Sequence, residues 1–183
     1  MFANSRLVVF WFLLKCSLGE RNWIYEPLSV EAKTSDPSKL NIEPSLDRIG
    51  RDFTISINLD WNYDVDETTM VEAFSYRSAS GNEKDYTLMP WTMPKQTYQQ
   101  YTETYYQNIV YKNLANCSNL PEPDNTYPWP KGQYKLEKCV ANGDGLPEIA
   151  PEGYYKIIFQ VSGEVDWEFV MISKLTSNTN LIG

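Results

Sequence analysis

Phe53-Thr54-Ile55-Ser56-Ile57-Asn58-Leu59-Asp60-Trp61 (FTISINLDW) sets the fold class. Apolar residues occupy every odd position of this stretch and polar residues every even one, so the period is two and the segment predicts a β-strand. One face is dry and the other wet, as in an antiparallel sheet with a solvated side. Near the C-terminus, Tyr154–Val161 (YYKIIFQV) and Val165–Leu175 show the same alternation. Tyr155, Ile157, Phe159 and Val161 share one face of the first run, and Val165, Trp167, Phe169, Met171 and Leu175 one face of the second. With Ser162-Gly163-Glu164 as the turn, residues 154–175 predict a hairpin.

Weaker strands surround these. Residues 23–32 alternate loosely through Ile24, Leu28 and Val30, and Pro27 places them at a sheet edge. Residues 39–46 contain Pro44 and read poorly as a strand. Residues 70–77 and 85–89 flank a hairpin turn at Ser78–Asn82, and residues 133–139 set Tyr134 and Leu136 against Lys135 and Glu137. One helical segment is predicted after Pro94, capped by Thr92, with Tyr98, Tyr101, Tyr105 and Ile109 on one face. Residues 116–131 (NCSNLPEPDNTYPWPK) carry four prolines and read as a loop. Seven or eight strands and one helix predict an all-β fold: a two-sheet antiparallel sandwich or open cup with one helical segment.

The N-terminus reads as a secretory signal peptide over residues 1–19. Arg6 precedes the apolar run Leu7–Leu14, and Ser17 and Gly19 are small residues suited to cleavage. The run is too short to span a bilayer, and Glu20, Arg21 and Asn22 follow at once, which favours a leader over an anchor or an N-terminal strand. Residues 20–183 then form the mature domain, extracellular and secreted. The full chain carries a formal charge of −8; losing the leader removes two cations, Arg6 and Lys15, and no acid, which gives −10. Of the three cysteines, Cys16 lies in the leader. Cys117 and Cys139 remain, either as one disulfide in an oxidising compartment or as two buried thiols. Asn116-Cys117-Ser118 is a candidate glycosylation site at Asn116.

Composition narrows the chemistry. The chain has no histidine, which removes Ser-His-Asp and Cys-His nucleophile systems and His-ligated zinc. The acidic balance argues against nucleic-acid binding. Carboxylates cluster at Asp60, Asp64, Asp66 and Glu67, and again at Glu164, Asp166 and Glu168. A glycosidase needs two carboxylates roughly 5–9 Å apart across a cleft, whereas these fall on solvent faces and turns. Asp60, Asp64 and Asp66 lack the glycine and distal glutamate of an EF-hand loop. The expectation is therefore no catalytic residues, no metal and no cofactor. The unusual feature is the rings: 7 Phe, 6 Trp and 13 Tyr, with Trp91 and Trp129 in proline-rich loops, where they suit either a core or the mouth of an apolar pocket.

Residues 127–175 carry a further pattern: Tyr127-Pro128-Trp129-Pro130-Lys131-Gly132-Gln133-Tyr134, Cys139, Leu146-Pro147, Pro151-Glu152-Gly153-Tyr154-Tyr155-Lys156-Ile157 and Gly163-Glu164-Val165-Asp166-Trp167. This resembles the insect chemosensory CheB proteins, which are similar to the GM2-activator branch of the ML lipid-recognition proteins. About fifty residues match in pattern, and the hundred before them match in arrangement. The resemblance implies a lipid-binding β-cup over residues 20–183, two splayed sheets around a cavity for acyl chains. It also implies a non-enzymatic role in taste and contact-pheromone response, in which a cuticular hydrocarbon or lipid is presented to a receptor, a channel or a membrane. Two mature cysteines replace the several bridges of the activator, so its bridged loops do not carry over. If odd strand positions point inward, the expected cavity lining is Phe53, Ile55, Ile57, Trp61, Tyr98, Tyr101, Tyr105, Ile157, Phe159, Trp167 and Phe169. Two other readings stand beside this one: a solidly packed extracellular interaction protein without a ligand that modulates a receptor or channel, and a carboxylate-based hydrolase.

Overall fold

Alternation of apolar and polar residues becomes nine strands in two antiparallel sheets in the computed structural model, which describes residues 21–50 and 52–178. The leader predicted at residues 1–19 lies outside the described residues. The larger sheet has the order β1 (Trp23–Thr34), β9 (Trp167–Ser177), β8 (Gly153–Ser162), β4 (Met70–Ser78) and β5 (Thr87–Leu88), with β6 (Met93–Thr97) also paired to β4. The smaller sheet has the order β2 (Leu40–Ile49), β3 (Asp52–Trp61) and β7 (Gly132–Cys139). The fold is thus an all-β sandwich or cup with one interrupted helical segment.

The period-two stretch is the centre of the smaller sheet, and its partners repeat its pattern. Trp61 pairs with Leu40, Leu59 with Ile42 and Tyr134, Ile57 with Pro44 and Leu136, and Ile55 with Leu46 and Cys139. Residues directly opposite in a ladder share a face, so apolar rows cross the whole sheet. Pro44 is tolerated because β2 is an edge strand, which is why residues 40–49 form a full strand despite it.

Two bulges change the phase. Between Ile55 and Ile57 the β7 strand advances three residues while β3 advances two, and Lys138 takes up the extra step at φ 53°. Tyr134 and Leu136 point inward before the bulge and Cys139 after it; simple alternation would have sent Cys139 outward. In β1 the register shifts between Pro27 and Ser29. Trp23 is therefore buried, while Ile24 and Leu28 face solvent, contrary to the expected Ile24–Leu28–Val30 face.

The helical segment starts later than the sequence suggests. Pro94 lies in β6, and the cap is Thr97 rather than Thr92: its Oγ1 accepts from Gln100 N while the Gln100 side chain accepts from Thr97 N, a capping box. One α-helical turn (Tyr98–Tyr101) runs into a π-helical stretch (Thr102–Tyr111) and then Lys112–Leu114. A short 3₁₀ turn, Ala115–Cys117, ends in the disulfide Cys117–Cys139, with Cα atoms 5.5 Å apart. The bridge ties the helical segment to the smaller sheet around a loop of 22 residues' separation. Replacing both cysteines by serine is expected to lower stability by roughly 3 kcal/mol, read as a shifted urea midpoint; an unchanged midpoint would show that the bridge is energetically idle.

Candidate functional site

Two packed clusters form the interior. The first joins the sheets and the helical segment around Trp61, with Leu40, Tyr63, Val71, Tyr98, Tyr106, Trp129, Val161 and Val165. Trp61 stacks on Tyr63 at 4.7 Å between ring centroids and meets Trp129 at 5.5 Å and the edge of Trp167 at 6.1 Å. The second, smaller cluster holds Trp23, Ala150, Tyr155 and Leu175, with Tyr25 and Trp91 against it.

Between them lies a cavity of about 490 Å³. Its floor is the inner face of the larger sheet, with Ala73, Ser75, Tyr155, Ile157, Phe159, Met171, Ser173 and Leu175. Tyr101, Tyr105, Ile109 and Val110 of the helical segment form one wall, Ile55 of β3 contributes to another, and residues between Ala141 and Ala150 close the end near Trp23. Among the described residues no Asp, Glu, Lys or Arg lines it. Thr92, Gly145 and Leu146 are its exposed lining residues, Leu146 at 43%. The volume lies within the range of about 300–1,000 Å³ typical of small-molecule sites.

Five of the eleven residues expected to line a cavity do so: Ile55, Tyr101, Tyr105, Ile157 and Phe159. Trp61, Tyr98 and Trp167 belong to the packed cluster, because the first cluster fills the space between the sheets at that end. Phe53, Ile57 and Phe169 do not line the cavity either. Phe53 lies under the Arg48 guanidinium, 5.2 Å from it, in the stretch of β3 beyond its pairing with β7. Ile57 packs in its row with Pro44 and Leu136, and Phe169 shares the inward face of Phe159 by register but sits nearer β1. The π-helical winding spaces Tyr101, Tyr105 and Ile109 along the cavity and turns Tyr106 into the core. The two loop tryptophans separate: Trp129 is buried in the first cluster and Trp91 lines the cavity. The sequence pointed to neither Trp23, Tyr25 nor the 141–150 loop; the bulge at Leu28 hides the first two, and the loop has no periodicity to read.

Tyrosine hydroxyls tether the loops. Tyr106 donates to Pro121 O, Tyr134 to Pro130 O and Tyr155 to Pro151 O. These three carbonyls lie outside helices and strands, and the phenol hydroxyls bond them there. Burial pushes the phenols of Tyr63, Tyr101 and Tyr106 far up, so they remain neutral hydroxyls. The acidic residues have local structural roles. Asp66 accepts from Thr68 N and Oγ1 in a turn, Asp64 pairs with Lys131, Glu164 with Lys39, and Glu168 accepts from Gln160. Among the described residues no three Asp, Glu, Cys or His side chains gather as a metal-holding group. Asn116 is exposed at the helix end, beside the disulfide.

A polar clasp holds the 141–150 loop. Arg21 pairs with Asp144 at 2.9 Å and donates to Asn142 O, Asn113 bridges Gly143 and Asp144, and Trp23 Nε1 donates to Pro147 O. At Gly145, with φ +77°, a Cβ would clash with Asn108 O, so the loop touches the helical segment through bare backbone. Gly145→Ala is expected to cost at least ~1 kcal/mol through strain alone and to lift the loop from the helix, seen as a lower melting temperature and faster amide exchange at 141–150; wild-type values would refute this contact. The Arg21 hydrogen bond, then that of Asn142, holds the Asp144 carboxyl below its usual range. A carboxyl lowered on folding stabilises the loop above its unfolded value of about 4 and loses that contribution as pH falls through the lowered value. Amide exchange in the loop, corrected for intrinsic rates, is expected to speed up below about pH 4, and Asp144→Asn is expected to abolish that pH dependence.

Residues 70–157 match a family model described as a protein of unknown function, DUF1091, a domain found in insect ML-like proteins. The match runs from β4 into β8 and takes in the helical segment, the disulfide, Trp91 and the 141–150 loop. No curated protein matches the chain.

Proposed function

We propose that the protein is a secreted, non-enzymatic chemosensory accessory protein that carries one long-chain hydrophobic ligand, such as a cuticular hydrocarbon pheromone or a lipid, and presents it to a receptor, channel or membrane. The observation that carries this reading is the uncharged cavity between two packed clusters. Protein interiors are close-packed and voids of this size are uncommon, and an apolar void gains most from an apolar occupant. The disulfide supports an oxidising, extracellular setting. The resemblance of residues 127–175 to the CheB and GM2-activator proteins supports the chemosensory and lipid-carrying part.

Magnitudes agree with such a role. Taking roughly 30 Å³ for a group the size of one water, the cavity holds about sixteen methylene-sized groups. At about 0.8 kcal/mol per buried methylene, the gross gain is about 13 kcal/mol. Subtracting about 5 kcal/mol for lost freedom leaves about 8 kcal/mol, which is micromolar affinity. A chain of twenty-odd carbons would leave its end outside the cavity.

Displacement of a fluorescent fatty acid from the mature protein tests the reading: long-chain compounds are expected to compete at micromolar concentration. Ala73→Phe places a ring into the cavity from its floor and is expected to weaken binding at least tenfold with the fold intact by circular dichroism. No binding of any long-chain compound at tens of micromolar would end this proposal and favour an interaction protein that works without a ligand.

A further inference from the structure

One residue of the cavity lining carries a buried polar atom that bonds nothing among the described residues. Ser75 lies on β4, is 4% exposed, and lines the cavity in the row that continues through Ile157 and Met171. Its Oγ has no hydrogen-bond partner among the described residues. A buried hydroxyl left unpaired costs about 1–3 kcal/mol, and buried polar groups in folded proteins are normally paired. Alanine would fill the same place in an apolar row without that cost. Tyr101, also buried on the cavity wall, brings a second hydroxyl-bearing side chain to it. Both groups are neutral, and among the described residues no charged side chain lines the cavity to balance an ionised head. A carboxylate or phosphate drawn inside would be desolvated without a counter-charge.

Resting on the carrier reading above, we infer that the cavity selects a long neutral chain bearing one oxygen function (an alcohol, ketone or ester) rather than a bare hydrocarbon or an ionised lipid, and that Ser75 Oγ makes the selecting hydrogen bond. The apolar walls supply most of the affinity, and Ser75 fixes where along the chain the oxygen sits. An alkane in the same place leaves the hydroxyl unpaired and forgoes that bond. A site built to bond an oxygen rejects the analogue lacking it more strongly than it distinguishes one methylene from another.

Competition by hexadecane, 1-hexadecanol, 2-hexadecanone and palmitate against one fluorescent probe, on wild type and on Ser75→Ala, tests this. In wild type the alcohol and ketone are expected to compete about tenfold better than hexadecane and better than ionised palmitate. In Ser75→Ala the advantage over hexadecane is expected to fall towards one, with the melting temperature unchanged or raised because an unpaired hydroxyl is gone. Equal competition by alkane and ketone in wild type, or an oxygen preference that survives in Ser75→Ala, overturns the role of Ser75 while leaving the carrier reading intact. Palmitate competing best overturns the neutral-head assignment. Failure of all four compounds overturns the carrier reading and this inference with it.

Discussion

The packing of Trp61 is the constraint on which the rest depends. Its ring ends the central strand of the smaller sheet and meets rings from four segments: Tyr63 beyond the strand, Tyr98 of the helical segment, Trp129 of the proline-rich loop and Trp167 of the larger sheet. Its indole N–H donates to Tyr63 O, and the Tyr63 hydroxyl accepts from Trp167. Both sheets, the helix and the loop are thus held by one aromatic cluster at one end. Rings of this size bury much apolar area at little entropic cost, which lets one end alone fix the relative placement of the layers.

Because that end is solid, the other need not be. The second cluster around Trp23 and Tyr155 covers the far side, and the sheets are not filled in between. Tyrosines hold the loops in shape: the Tyr25 hydroxyl accepts from Ala141 N and Tyr155 donates to Pro151 O at the two ends of the loop wall, while Tyr106 and Tyr134 donate to Pro121 O and Pro130 O away from the cavity. The disulfide adds a covalent tie between the helical wall and the smaller sheet. The high ring content therefore serves a closed core, loop tethers and a cavity lining together.

The fold was largely legible because its strong strands alternate cleanly and their partners carry matching apolar rows. Residues 53–61 and 154–175 are of this kind, and each forms the strand or hairpin its pattern predicts. Edge strands were harder to read, since Pro27 and Pro44 count against a strand until an edge position excuses them. The helix was readable in its tyrosine face but not in its start, because Pro94 suits a first helical turn as well as the edge strand it occupies. The lining was half legible. Periodicity assigns side chains to an inner face, as it does for Ile55, Ile157 and Phe159. It does not distinguish an inner face that meets another layer, as at Trp61, from one that meets a void.

The residues, read in order, are enough for the β class, the inward faces of the regular strands, the pair of cysteines available for one bridge, and a chemistry without histidine. These follow from local periodicity and composition, which each segment carries alone. Tertiary structure decided the rest. The bulges at Leu28 and Lys138 reverse the inward phase of their strands and bring Trp23 to the cavity and Cys139 to its partner, and a bulge is defined only by the strand it pairs with. The cavity is likewise a property of what fails to touch: it exists where the sheets, the helical segment and the 141–150 loop approach without filling the space, and no single segment encodes that gap.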